Sequence, residues 1–337
     1  MNQMKQELTI AVAGCGHWGP NYIRVFSIFD DVTVKYACDL SKSKLDRVHR
    51  QFPQVNVTQD FNSVLHDASV DAVVVATPSS THFAVAKSCL EAGKHILVEK
   101  PITLTTADAA ALIKLAEEKK RTIFVGHTFL YNPGVRKMKE IIDSGELGVI
   151  YYLTATRTHL GLVREDVNVA WDLAPHDIAI FNYLLGQTPI RIEAFGVCHL
   201  KKGREDAVFI HLLYPNSVLG QIHVSWVDSN KERTVKVIGS EARVIFDDID
   251  NLERVKIFKK GIRRSPDYNT FGEFQLLLRD GDIISPRIEP MEPLKAMCAE
   301  FIDCLRNGTK PLTDGQSGYE VVRVMEQIDR ALAAPVS

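Results

Sequence analysis

Leu8-Thr9-Ile10-Ala11-Val12-Ala13-Gly14-Cys15-Gly16-His17-Trp18-Gly19 is the stretch whose reading decides the fold. An apolar, β-prone run leads straight into a G-x-G-x-x-G fingerprint, and the residues after Gly19 read as a helix. In such a strand-turn-helix unit Gly14 permits the sharp exit from the strand and Gly16 lets the backbone approach a pyrophosphate. Gly19 lets the helix pack closely on the sheet. The helix N-terminus then turns its free amides on the anion, with His17 and Trp18 beside it in the turn. A second strand, Val32 to Cys38, ends in Asp39, about twenty residues beyond Gly19, where an acid accepts hydrogen bonds from a ribose 2′-OH. That predicts NAD as cofactor. NADP stays open because Ser41 and Lys42 follow directly and can hold a 2′-phosphate. The competing reading is a structural glycine turn that serves another ligand.

Strand-like and helix-like runs alternate on either side of this unit. Ser41 to Phe52 is helical in pattern, Asp71 to Ala76 a strand, Thr81 to Ala92 a helix and His95 to Val98 a strand. A helix follows at Thr105 to Lys119, opened by a capping-box pattern at Thr105 and Asp108, and then a strand at Thr122 to Val125. Short apolar strands alternating with helices predict a doubly wound parallel sheet covered on both faces. From about residue 150 the rhythm becomes β-rich, with runs at 149–158, 191–199, 207–214, 218–226, 234–238, 243–246 and 255–258. These predict one large antiparallel sheet. A helix from about Ala174 to Leu185 precedes most of it, two more at 294–306 and 315–332 close the chain, and 261–293 reads as irregular.

The chain has 337 residues, which implies two domains. Forty basic and forty-two acidic residues leave a net charge of −2, so no basic field exists for nucleic acid or an anionic membrane. No apolar run approaches the roughly twenty residues a membrane span needs, and no signal-peptide core precedes the first strand. The six cysteines are scattered without a C-x-x-C pair. No metal site or disulfide framework is expected, and a reducing cytoplasm fits best.

Oxidising a secondary alcohol needs a base for the hydroxyl proton, a cation for the developing alkoxide and a nicotinamide to take the hydride. Lys100 follows a strand at the carboxyl edge of the predicted parallel sheet, where open α/β folds bind ligands, and Pro101 restricts its backbone. An ammonium there stabilises an alkoxide; the plainer reading is a solvated surface amine. The second group is Trp171-Asp172-Leu173-Ala174-Pro175-His176-Asp177. Pro175 suits a first helical turn. His176 has the right intrinsic basicity for proton transfer, and Asp172 shares its face if the helix extends back that far. Alternatively, Asp172 only caps the helix dipole and His176 is a buried structural imidazole.

The glycine fingerprint, Ala76-Thr77-Pro78 with His82, Glu99-Lys100-Pro101 and Asp172-x-x-x-His176 together resemble the Gfo/Idh/MocA family of sugar and polyol oxidoreductases, over essentially the whole chain. The resemblance implies a Rossmann domain at 1–127 and an open-faced sheet domain at 128–337 for substrate binding and oligomerisation, with the last helices able to pack back on the first domain. It implies nicotinamide lying between the two, and homodimers or homotetramers built through the sheet. By motif position Lys100, Asp172 and His176 form the catalytic group: His176 accepts the proton, Lys100 is its electrostatic partner and Asp172 orients it. Thr77, Pro78, His82 and Glu99 line the cofactor. Two departures bear on specificity. Ala174 and Ala179 stand where relatives carry a glycine and an acid, and Gly126 to Pro133 lacks the arginines of many relatives.

The segment from Arg157 to Asn168 leaves a strand and runs toward Asp172, so its arginines, Arg157 and Arg164, can clamp an anion. The alternative is that both are surface charges or pair with Glu165 and Asp166. With Asn168, Tyr131 and Asn132 they are the candidate substrate contacts. The whole set looks like the branch that oxidises C3 of UDP-N-acetylglucosamine or its uronate in bacterial polysaccharide biosynthesis. A free polyol or aldose dehydrogenase, such as an inositol 2-dehydrogenase, is the alternative. A non-enzymatic NAD-binding sensor is the third reading.

Overall fold

The computed structural model describes residues 7–161, 163–264 and 276–333. The chain divides into two compact units, Met1–Tyr131 with Met291–Arg323, and Asn132–Pro290 with Val324–Ser337. The turn Thr128–Tyr131 therefore stays with the first unit, as do a late helix and half of the last one.

The first unit alternates β1 (Leu8–Ala13), α1 (Gly19–Phe26), β2 (Val32–Cys38), α2 (Lys42–Gln51), β3 (Asn56–Thr58), α3 (Phe61–His66), β4 (Ala72–Val75), α4 (His82–Glu91), β5 (His95–Glu99), α5 (Thr106–Lys119) and β6 (Ile123–Gly126). The strands form one parallel sheet in the order β3-β2-β1-β4-β5-β6. β4 is buried along its whole length, as a strand covered on both faces must be. Thr105 caps α5 by accepting from the Asp108 amide at 3.1 Å. This order reverses direction between β1 and β4, and ligands of open α/β sheets sit at the carboxyl ends beside that switch.

The second unit opens with α6 (Pro133–Asp143), capped by Asn132, and β7 (Ile150–Leu160). Next come α7 (Val169–Leu185), β8 (Arg191–Val197), β9 (Ala207–Leu213), β10 (Leu219–Ser225), β11 (Val227–Gly239), β12 (Arg243–Asp247) and β13 (Val255–Phe258). β14 (Gly261–Arg264) and β15 (Leu276–Arg279) form a separate hairpin, and β16 (Ile283–Ile284) pairs with β13. The eight-stranded sheet runs β16-β13-β12-β11-β7-β10-β9-β8. It is antiparallel except for β7 against β10, because α7 lies between β7 and the rest of its half and carries the chain across as a crossover. Residues 261–293, expected to be irregular, therefore hold short strands; 265–275 lie outside the described residues. α8 (Pro293–Asn307) and α9 (Gly315–Ala333) close the chain.

α7 begins at Val169, five residues before the expected start, with Asn168 as its cap: the Asn168 side chain accepts from the Trp171 amide at 3.0 Å. Pro175 therefore lies inside the helix instead of in its first turn. α7 is seated on β10 where Gly220 leaves space; a Cβ there would come within 3.2 Å of the Phe181 ring. Among the described residues no helix is long and apolar enough to cross a membrane.

Candidate active site

In the first unit the predicted cofactor residues gather at the carboxyl edge of the parallel sheet. Gly14 has φ +97°, and a Cβ on it would lie 2.4 Å from the Ala76 carbonyl oxygen. A Cβ on Gly19 would lie 2.0 Å from the Gly14 carbonyl oxygen, whereas Gly16 faces open space. Two of the glycines thus serve close backbone packing and the third leaves a cradle over the turn. Asp39 closes the cradle, accepting from the Cys15 amide at 2.7 Å and the Ser41 amide at 2.8 Å. Its carboxylate keeps lone pairs for a ribose hydroxyl and repels a 2′-phosphate. His17 and Trp18 meet edge to face at 5.4 Å at the mouth of the turn. These residues fit NAD: backbone amides for the pyrophosphate, an acid for the ribose, and room above Gly16.

The loops after β4 and β5 are tied together by a ring. The His82 imidazole reaches the Pro101 carbonyl at 2.7 Å and the Thr77 carbonyl at 2.9 Å, and Thr81 donates to Thr77 Oγ1 at 2.9 Å. Beside them Glu99 is buried, accepting from the Tyr22 hydroxyl at 2.6 Å and from the Lys100 amide at 3.2 Å. Burial pushes both the Glu99 carboxyl and the Tyr22 phenol upward. Gly126, opposite Glu99 in the register, leaves room here, since a Cβ would stand a tight 3.2 Å from the Tyr22 hydroxyl. Lys100 leaves the sheet immediately beyond Glu99.

His127 was not singled out by the sequence reading. It follows β6 directly, is 2 % exposed, and neither ring nitrogen has a hydrogen-bond partner. Burial, then the Lys100 ammonium, pull it down to about 4, so it is a neutral imidazole beside the lysine. Its position just past a strand at the sheet's carboxyl edge was the available signal.

In the second unit α7 is buried almost throughout. Between Val169 and Phe181 only Asp172 and His176 escape full burial, which places them on one face, as a spacing of four requires. Asp172 accepts from Trp226 Nε1 at 3.1 Å and from Arg164 Nη1 at 3.3 Å. Trp226, at the junction of β10 and β11, carried no sequence signal. Asp172 also sits in the first turn of α7, where its charge favours the helix dipole. Around it are further cationic or titratable groups. His159 of β7 feels Asp172, Arg233 and Lys231, and Arg204 donates to the Arg164 carbonyl at 3.0 Å.

The candidate substrate contacts fall in different places. Arg164 pairs with Asp166 at 2.6 Å and with Asp172, and is partly exposed. Arg157 is turned inward onto Asp177 instead of toward Glu165 or Asp166. Asn168 caps α7 and donates to Glu205 at 2.8 Å. Asn132 caps α6 and donates to Asp248 at 2.9 Å. Tyr131 is buried in the first unit with its hydroxyl 3.4 Å from Thr313 Oγ1. Of these five, Arg164 alone keeps a charged group at the surface next to Asp172. The chemistry on offer is a dinucleotide cradle, a lysine at its edge, and an imidazole and a carboxylate on one helical face.

Known proteins resemble this chain over most of its length. Residues 8–127 match the oxidoreductase family with NAD-binding Rossmann fold, and residues 135–245 match the GFO/IDH/MocA C-terminal domain. The chain is 26 % identical over 331 residues to the UDP-N-acetylglucosamine 3-dehydrogenase of Acidithiobacillus ferrooxidans, covering 96 % of each chain. It is 24 % identical over 322 residues to the myo-inositol 2-dehydrogenase of Thermotoga maritima, covering 92 % of each. The solved structure of the Acidithiobacillus ferrooxidans enzyme shares the fold, with a TM-score of 0.82 at 24 % identity over 96 % of this chain and 97 % of that one. GenD2 from gentamicin A biosynthesis, solved with NAD, shares it with a TM-score of 0.81 at 23 % identity over 98 % of this chain and 96 % of that one. With the matched domains in the expected order, a cradle shaped for NAD and named dehydrogenases among its relatives, the chain is an NAD-binding oxidoreductase of the Gfo/Idh/MocA family.

Proposed function

We propose that the protein oxidises a secondary alcohol of a nucleotide-linked sugar, at C3 of a UDP-N-acetylhexosamine or its uronate. The observation that carries this reading is Arg164, a partly exposed cation held against Asp172, with Arg204 donating to its carbonyl. A neutral polyol has no use for a cation there, whereas a diphosphate or uronate recruits it. The similarity to a UDP-N-acetylglucosamine 3-dehydrogenase points the same way.

In this reading the His176 ring takes the hydroxyl proton, and the Lys100 ammonium stabilises the alkoxide as the C–H bond weakens. Asp172, fixed by Trp226 and Arg164, orients the reacting hydroxyl and the imidazole. His127 holds a neutral face to Lys100, so that no second positive charge competes beside it. NAD, when bound, supplies the hydride acceptor. The Asp39 carboxylate and the backbone of the glycine turn hold its ribose and pyrophosphate.

The second reading is a free-polyol dehydrogenase. It is favoured by Arg157, whose burial on Asp177 removes one of the two cations that a clamp across this segment requires. We also propose a homo-oligomer formed through the open sheet face, where Tyr152, Phe195, Phe209 and Leu219 are exposed together in adjoining strands. A cytoplasmic setting suits six unpaired cysteines, five of them buried.

The test is absorbance at 340 nm for enzyme and NAD against UDP-N-acetylglucosamine, its uronate, and free inositols and aldoses, with and without 2-oxoglutarate. Turnover of UDP-sugars, or 2-oxoglutarate consumption that depends on them, supports the proposal. Turnover of free polyols alone transfers the assignment to the second reading.

A further inference from the structure

Asp177 follows His176 directly in α7, and the hydride chemistry does not use it. Its carboxylate accepts two hydrogen bonds from Arg157 of β7, from Nε at 2.9 Å and from Nη2 at 2.8 Å. The two side chains are 5 % and 1 % exposed. Removing two ions from water is expensive, and a well-packed apolar pair of similar volume is commonly as stable or more so. Stability alone therefore gives no reason for this pair. A bidentate pair supplies something an apolar one lacks, which is direction.

α7 needs direction at this point. Pro175 lies within it and has no N–H to give to the Trp171 carbonyl, and its ring crowds that oxygen, so the helix is weakest just before His176. Asp177 anchors the helix two residues beyond the weakness. Successive helical residues turn by about 100°, so Asp172 and His176 stand about 40° apart, while Asp177 is about 100° from His176. Holding Asp177 against β7 therefore turns the face of Asp172 and His176 away from the buried side. Those are the two positions between Val169 and Phe181 that escape full burial. Arg157 also feels Asp172 and Asp248, so its charge is shared among the acids around it, with Asp177 making the closest contacts.

We propose that the buried Arg157–Asp177 pair is the positioning element of the catalytic helix, fixing the direction in which His176 leaves α7 just past Pro175 and, through the continuous helix, that of Asp172 one turn before it. It rests on the reading of His176 as proton acceptor given under Proposed function.

The test compares wild type with the double variant Arg157→Met/Asp177→Leu, which removes both charges and keeps volume. NAD affinity, thermal midpoint, kcat and KM for the sugar are measured. So is the ring 1H–13C resonance of His176, assigned by its loss in His176→Gln. The expected double variant is folded, binds NAD as wild type does and keeps KM within about twofold. Its kcat falls about thirtyfold or more, and the His176 resonance shifts and splits or broadens. A folded double variant with wild-type kcat and one unmoved His176 resonance overturns the proposal. If the double variant does not fold, Asp177→Asn is judged by the same two readouts. If wild type oxidises no sugar, the functional reading fails, and the His176 resonance, which needs no substrate, still decides the positioning.

Discussion

The glycine turn after β1 and the face of α7 are built on opposite principles. At the turn the backbone makes the site: Gly14 and Gly19 are required because their missing Cβ atoms would collide with Ala76 and Gly14 carbonyls. On α7 side chains make it, and they are drawn from β7, the segment after it, α7 itself and the junction of β10 with β11. A backbone-made site is local in sequence and dictated by residue type. A site made by side chains is long-range, and each charge can be spent on several partners.

The largest effect expected on this comparison is at the turn. Gly19→Ala places a Cβ 2.0 Å from backbone that cannot move aside. Isothermal titration should find no NAD binding, a loss of more than about a hundredfold, since the strain falls on the cradle itself. Retained binding would mean that the turn tolerates what its geometry forbids.

Next is the helical face. His176→Gln should cut kcat by about 10²–10⁴, the range for losing a general base, with NAD affinity unchanged. A small effect would put proton transfer elsewhere.

His127 sharpens the contrast through pH. Its folded value of about 4 lies below the ordinary histidine value of about 6.5, so the unfolded chain binds the proton more readily. Its contribution to stability is complete above about pH 6.5 and is lost as pH falls toward 4, by up to about 3 kcal/mol. Chemical denaturation of His127→Phe across that window should show a shallower loss than wild type. The slope does not vanish, because His95 is also held near 4 by burial and by Arg121. An unchanged slope would remove His127 from the account.

The smallest expected effect tests what Arg164 is for. Arg164→Ala should lower kcat/KM for a UDP-sugar by about 10–100-fold and leave free polyols within about twofold, as loss of one charge-assisted contact does. Equal losses on both would make it a support for Asp172 only.

The same contrast explains what the sequence revealed. β1, the turn, β2 with Asp39, and β5 with Lys100 were legible because strand periodicity and glycine placement are short-range signals. α7 was legible as a helix, but its start was read late: Pro175 suggests a first turn, and tertiary burial of Val169 to Ala174 overrode that local preference. The parallel pairing of β7 with β10 left no trace in strand patterning, because alternation is the same for either direction. Arg157 looked like a ligand clamp in sequence, and only the fold reveals Asp177 across from it, twenty residues away. Trp226 reached Asp172 from fifty-four residues away, with no motif to mark it.

The central claim is that Lys100 and His176 serve one hydride transfer. The direct measurement is single-turnover NADH formation at 340 nm with a UDP-sugar, for wild type, Lys100→Ala, His176→Gln and the double variant. The account predicts that each single variant is slowed by at least about 10² and that the double is little slower than either, because groups that act as a unit are strongly non-additive. Single variants within about fivefold of wild type, or full additivity in the double, would contradict it.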